Sequence, residues 1–383
     1  MFHRVKTAGI LGGFFAALCF CSAAKGDDVT LKTSVTTGAS YDSNIYSRGQ
    51  SQNPEEDYVV QLVPQIEVLD ASRAMTVSVK YAPSGYYYLK NPQLNSVDHF
   101  ASAALQAQLS RKSTFGVSES VRYTKESREA SMTGIQTKRM RILTNDVALN
   151  ATHEFTPSFS ASANASDTVL KFEDPNSIDS RTDTAGVTGV FKATGNTALT
   201  AGYTYTRFSF SSVPGDTHSD THTVTLGLKS QVSESFDVSL SGGMTRSPSA
   251  SKKNDWVASV DLRKTFKAGS IDIGYSRSVT NTAGLTDLLN VNNRYSIGLT
   301  HALTGSTDIG VHGVYSDNRT NPGVLHLTSY EAGANASWRA YSWMTISAVY
   351  SHFQQWDNAS TGDDIRKDLV TLNFTATMSE WRF

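Results

Sequence analysis

Two histidines four residues apart, His218 and His222, invite a metal reading. On an extended strand, residues at that spacing share a face but lie about 13 Å apart, too far to hold one ion between them. Exposed polar residues at a strand mouth are the plainer reading, and no metal site is expected. Asp357, Asp363 and Asp364 fall in one polar stretch, 356–366. They suit a solvated loop better than a Ca²⁺ site, although acids so placed also bridge divalent cations. Glu119 and Glu331 have no second carboxylate at a spacing that would serve acid–base chemistry, and no Gly-x-Ser-x-Gly elbow is present. Neither an enzyme nor a cofactor is expected. What remains are isolated charges in otherwise uncharged runs: Lys80, Arg122, Lys229, Arg263 and Arg294, with Asp146, Asp261, Asp272, Asp308 and Glu331. Their meaning depends on the elements that carry them.

Those elements alternate with period two. Leu199, Ala201, Tyr203 and Tyr205 share one face of a strand whose other face is Thr200, Gly202, Thr204 and Thr206. Val224, Leu226 and Leu228 oppose Thr223, Thr225 and Lys229. Phe236, Val238, Leu240 and Met244 oppose Asp237, Ser239, Ser241 and Thr245. The pattern predicts eighteen strands: 30–42, 57–70, 74–88, 97–110, 113–126, 139–155, 158–172, 181–194, 197–210, 220–231, 235–246, 254–267, 270–280, 291–303, 306–317, 327–339, 343–355 and 367–382. Connections alternate between tight turns, such as Arg111-Lys112, Thr156-Pro157, Gly195-Asn196, Ala268-Gly269 and Thr304-Gly305, and mostly longer loops, such as 43–56, 127–138, 281–290 and 356–366.

One-sided strands with no helical segment predict an all-β fold: a closed antiparallel transmembrane β-barrel of about eighteen strands, with short periplasmic turns and longer extracellular loops. In lipid the apolar faces need no partner, and closure leaves no unpaired edge. A blade repeat of about 40 residues, which a soluble propeller needs, is absent. An even strand count puts both termini on one side. Trp338, Trp343 and Trp381 fall near periplasmic strand ends and Trp256 and Trp356 near extracellular ones, where indole rings favour the interfaces. A lipid-facing Lys or Arg at mid-bilayer costs about 2–4 kcal/mol, which directs the ten charges to the lumen. Their mixed signs predict no strong ion selectivity, and the Ser, Thr, Asn and Gly around them suit hydroxylated solutes as well as water. Two positions break the pattern. Glu119 has the outward parity of Phe115, Val117, Val121 and Tyr123, so a bulge or register change is expected to rescue it. Trp381 and Phe383 are odd where Val370, Leu372, Phe374, Ala376 and Met378 are even, so a bulge is expected near Ser379-Glu380.

Residues 1–24 read as a secretory signal: Arg4 and Lys6, an apolar core Ala8 to Phe20, and Ser22-Ala23-Ala24 before the cut. The division is therefore 1–24 signal peptide and 25–383 barrel. Both cysteines lie in the leader, so no disulfide is expected in the mature chain. The net charge of −1 falls to about −3 without the leader, and no basic cluster suggests nucleic acid.

Gly38-Ala39-Ser40-Tyr41-Asp42-Ser43-Asn44-Ile45-Tyr46, followed by Tyr58 to Val68 with Pro64 among aliphatics, resembles the opening of a family of outer-membrane β-barrel porins. These porins accompany exopolysaccharide and exosortase gene clusters (the β-barrel porin 2-like group). The likeness is strongest over residues 30–90, and Tyr41, Asp42 and Asn44 carry it. A strand ending in Trp381 and Phe383 is similar to the insertion signal of bacterial outer-membrane barrels. The resemblance implies Sec-type export to the outer membrane of a Gram-negative cell. It also implies outer-membrane lipid, lipopolysaccharide and the barrel-assembly machinery as partners, and polysaccharide with periplasmic export proteins as cargo and accessory. The implied activity is polysaccharide export or passage through a polar lumen. A general small-solute porin and a plugged structural barrel are the alternatives.

Overall fold

The computed structural model describes residues 28–125, 135–137, 139–211, 215–247, 254–282, 284–320, 324–358, 364–378 and 380–383. The leader, Asp363 and Ser379 lie outside the described residues. The strands are β1 (Asp28–Asp42), β2 (Asp57–Ala71), β3 (Met75–Tyr88), β4 (Ser96–Ser110), β5 (Ser113–Thr124), β6 (Ile142–Thr156), β7 (Phe159–Phe172), β8 (Asp179–Lys192) and β9 (Thr197–Ser211). They continue as β10 (Asp216–Ser233), β11 (Phe236–Arg246), β12 (Asn254–Phe266), β13 (Gly269–Thr280), β14 (Asn290–Thr304), β15 (Thr307–Thr320), β16 (His326–Tyr341), β17 (Met344–Asp357), β18 (Ile365–Thr377) and the two-residue β19 (Trp381–Arg382). Each strand from β1 to β17 pairs antiparallel with the next, and β1 pairs with both β2 and β18, so the ring is a closed eighteen-stranded barrel. Asp28 and Phe383 sit at the rim of tight turns, called here the turn end; the opposite rim is the loop end.

Directly paired residues in an antiparallel ladder point to the same face, so one assignment propagates round the ring. The outer face collects exposed apolar side chains, among them Val60, Leu62, Ile66, Leu149, Leu226, Ile297, Val311 and Phe374. Aromatic residues bound this band. Tyr341 stacks on Trp343 at 5.7 Å and Phe155 on Phe159 at 5.7 Å toward the turn end; Tyr41 meets Tyr58, and Tyr275, Tyr295 and Tyr315 form a row toward the loop end. Trp338, Trp343 and Trp381 lie at the turn end, Trp256 and Trp356 at the loop end.

The two irregular positions resolve differently. Ser34 pairs with Thr377, but Leu31 pairs with Trp381, so three steps along β1 match four along the C-terminal segment. That extra residue flips the parity and puts Trp381 on the outer face with Val370, Leu372 and Phe374. The amide of Phe383 then donates to the carbonyl of Val29 at 3.0 Å. No such step rescues Glu119, and the expected bulge is absent. Ala103, Glu119 and Val147 are consecutive direct partners in unbroken registers. Glu119 faces outward, with Asn145 its polar neighbour across the ladder. Backbone continuity wins because a bulge here would turn Val121 and Tyr123 inward as well.

Candidate functional site in the barrel interior

The same registers set the other face of every strand toward the lumen. Lys80, Arg122, Asp146, Lys229, Asp261, Arg263, Asp272, Arg294, Asp308 and Glu331 all lie on that face. They do not converge on one point. Lys229, Asp261, Arg263 and Asp272 line a cavity of about 830 Å³ that begins at the β8–β9 turn, Gly195-Asn196, and climbs the wall of β10–β15 to His312 and Val314. Within it Arg263 lies 3.5 Å from Asp272. His312 is 3.6 Å from Glu331, which thereby turns toward the cavity. Arg294 sits one pair step above, opposite Ser316, and makes no ion pair among the described residues. Asp146 accepts a hydrogen bond from Thr168 at 2.8 Å. Lys80 and Arg122 flank the ring of Phe100, at 5.9 and 5.5 Å from its centroid. Asp308 stands apart near the turn end.

The loop-end half of the interior is packed instead. Ile45, in the loop after β1, is 2% exposed and clusters with the inward Val59 and Tyr88. Asn44 explains why this loop turns in. It is fully buried; its Nδ2 donates to the carbonyls of Arg48 (2.7 Å) and Arg366 (3.1 Å), and its Oδ1 accepts from the Arg48 amide (2.9 Å). Asp42 accepts from the Asn44 amide at 2.9 Å and pairs with Lys367 at 2.8 Å. Tyr41 points the other way, its hydroxyl donating to Glu56 at 2.7 Å on the outer surface. The Tyr-Asp-x-Asn signature thus works as a hinge: outer anchor, inner ion pair, buried amide clamp.

A second segment crosses the mouth. Residues 135–137 belong to the connection from β5 to β6 yet bond to β17, on the far wall. The Gln136 amide donates to Gln355 Oε1 at 2.7 Å, and Gln355 Nε2 donates back to the Gln136 carbonyl at 3.2 Å. Gln136 Nε2 also donates to Ser47 Oγ at 3.0 Å. On the other side, the β13–β14 loop leans over the β7–β8 loop, where the Ile178 amide donates to the Gly284 carbonyl at 3.0 Å. Gly284 has φ +88, and a Cβ there would stand 2.6 Å from the Phe172 ring, so only glycine fits. Phe208, Phe210, Leu327 and Phe353 fill the wall below these loops, and Asn290 and Asn292 both donate to Asn318 Oδ1.

Parity could have added His312 and Phe100 to the lumen set; the Gln136–Gln355 clasp, 219 residues apart in sequence, leaves no local signal. The two histidines considered for a metal both face outward, and His222 Nδ1 lies 2.8 Å from the Tyr203 hydroxyl. Among the described residues no group of three His, Cys, Asp or Glu could hold a metal ion.

No protein-family model matches the chain, and no curated protein matches it. Solved structures do. It is similar to OpdQ of Pseudomonas aeruginosa, with a TM-score of 0.50 and 12% identity over 91% of this chain and 97% of that one. It is similar also to the outer membrane protein OpdK of the same organism (0.49, 10%, 92% and 99%) and to its siderophore receptor PirA (0.49, 8%, 91% and 80%). At such identity the likeness to OpdQ carries the β-barrel fold and no more.

Proposed function

We propose that this chain is an outer-membrane channel that passes a polysaccharide outward through its polar lumen, without chemistry, and that its own loops gate the far end. The observation that carries this reading is the asymmetry of the interior. A cavity lined by Lys, Arg, Asp, Ser and Thr side chains reaches the turn-end rim, while residues of two loops pack inside the loop end. Short turns mark the periplasmic side of bacterial barrels, so the open vestibule would receive solute from the periplasm. The wall offers Ser239, Ser296 and alternating charges, which suit hydroxyls and give no strong field of one sign. On this reading residues 1–24 direct Sec export, the aromatic C-terminus is read by the barrel-assembly machinery, and lipopolysaccharide surrounds the upper girdle. Polymer and periplasmic export proteins are the partners. The resemblance of residues 30–90 supports the polysaccharide as cargo.

The test has two parts. Purified barrel in a planar bilayer should show discrete conductance steps that a neutral oligosaccharide shortens, whereas salt-only conductance without blockade favours a general porin. A deletion strain should lose secreted polymer; unchanged secretion overturns the export reading. The packed loop end also favours a plugged barrel with a structural role. That second reading gains if no conductance appears even after the Gln136–Gln355 clasp is cut.

A further inference from the structure

Two glycines stand in the wall of the 830 Å³ cavity where side chains would otherwise fill it. Gly274 on β13 and Gly298 on β14 both face the lumen, because Ile273, Ile297 and Leu299 beside them are exposed on the outer face. The registers around both are unbroken, so neither serves a bulge. A Cβ on Gly298 would meet nothing within 4 Å, and one on Gly274 would lie 2.6 Å from Ser296 Oγ and 3.6 Å from Asp261 Oδ1. Glycine weakens a strand interior and often marks a place where a ligand comes close to the backbone. The charges round this recess balance: Lys192, Lys229 and Arg263 stand against Asp237, Asp261 and Asp272. Arg263 lies 3.5 Å from Asp272, which also accepts a hydrogen bond from Ser270 at 3.1 Å. Lys229 and Asp261 are exposed to the lumen, and neither makes an ion pair or hydrogen bond among the described residues. Ser239 is the direct partner of both, so their strands lie two spacings apart, about 9–10 Å.

We infer that this recess seats one neutral hexose unit of a saccharide chain. A lysine only donates and a carboxylate only accepts, whereas a hydroxyl does both. One pyranose ring satisfies Lys229 at one edge and Asp261 at the other, while its flat face lies on the bare backbone at Gly274 and Gly298. A carboxylate-bearing unit gains Lys229 but faces the free Asp261, and an amine-bearing unit meets the reverse. The inference rests on the passage reading for its cargo and deepens it by naming the unit, but the binding it describes does not require an open pore.

The test is therefore binding to the full barrel in detergent, by calorimetry, with a neutral glucose oligomer and a glucuronic-acid oligomer of equal length as probes. The neutral oligomer should bind, and the acidic one no more tightly. Asp261→Ala and Lys229→Met should each weaken neutral binding about tenfold or more, the value of a hydrogen bond to a charged group. Gly298→Leu should abolish it with every charge in place, because the added side chain starts in open space and fills the recess. Ser118→Leu, across the barrel on β5 between Ala104 and Ala148, adds the same bulk to the lumen and should leave binding unchanged. No binding of the neutral oligomer overturns the seat, as does tighter binding of the acidic one or undiminished binding by Gly298→Leu. Should Gly298→Leu fail to fold, Asp261→Ala and Lys229→Met decide: unchanged affinity in both sinks the inference. Neutral binding without any conductance would retain the seat and remove the channel. Conductance that the neutral oligomer blocks equally in wild type and Gly298→Leu would retain the channel and remove the seat.

Discussion

Cutting the clasp between Gln136 and Gln355 is the perturbation that most directly tests the proposed gating of the lumen. Gln355→Ala removes an acceptor at 2.7 Å and a donor at 3.2 Å. The Gln136 amide and carbonyl would lose these partners in a place where both side chains are buried, at 7 and 6% exposure. An unsatisfied buried polar group costs about 1–3 kcal/mol, and water from the vestibule recovers part of it, so we take about 2 kcal/mol for the pair. That shifts an open-to-closed ratio by roughly 30-fold. The shift concerns the closed state specifically, because with the segment withdrawn neither group is buried. Single-channel recording reads it as a rise in open probability, with unit conductance unchanged. Gln355→Glu keeps the acceptor and loses the donor, so its rise should be smaller. If Gln355→Ala leaves open probability at the wild-type value while the barrel stays folded, segment 135–137 does not gate the pore and the argument fails.

Three further outcomes follow from single residues. Glu119→Leu removes an outward carboxylate about 15 Å above the turn end, near the middle of the apolar band, and should stabilise the barrel by about 1–2 kcal/mol in urea unfolding from lipid vesicles; a lower midpoint would mean that the carboxylate has a partner in the membrane. Asn44→Ala deletes three hydrogen bonds at a fully buried amide and should cost about 2–3 kcal/mol, read as protease cleavage of the 43–56 loop in an otherwise intact barrel. Gly284→Ala forces a side chain into positive φ against the Phe172 ring and should cost about 1–2 kcal/mol, read as raised hydrogen exchange at the Ile178 amide.

The barrel was readable because its information is local. Period two needs no knowledge of neighbours, and it carries strand count, the side each termination falls on and the face of each side chain at once. The parity slip before Phe383 was readable for the same reason: two aromatic residues of the wrong parity at a strand end demand one extra residue, and the register contains it. Glu119 shows where this logic stops. Its cost in lipid argues for a bulge, yet the strand around it, from Phe115 to Tyr123, would be reversed by one. The ladder keeps the many apolar contacts and leaves the single carboxylate facing outward beside Asn145. The inward packing of the loops was not readable at all. Asn44 looked like a turn residue, which it is, but what it clamps is the Arg366 carbonyl, 322 residues away.

The closure and the wall also differ in what holds them, and that difference bears on function. The wall is a continuous backbone ladder, closed on itself, and loses nothing when solute enters. The plug is built from side-chain clasps and one small apolar cluster, Ile45 with Val59 and Tyr88, on segments anchored at both ends. Cooperative opening of such a unit costs a few hydrogen bonds and the burial of about three apolar side chains, each worth about 1.5–3 kcal/mol, so its scale is several kcal/mol, well below the cost of disrupting the ladder. If the unit gates the lumen as proposed, a gate of that scale stays shut at rest, and a ligand can open it only by binding the open state more tightly than the closed one. On the proposed reading, a polymer advancing from the vestibule would gain this differential by binding polar residues now buried near the loop end, such as Asn290 and Asn318. The same loops in a purely structural barrel would gain nothing from polar residues such as Asn290, Asn292 and Asn318 beneath them, where an aliphatic core would pack as well and hold more firmly.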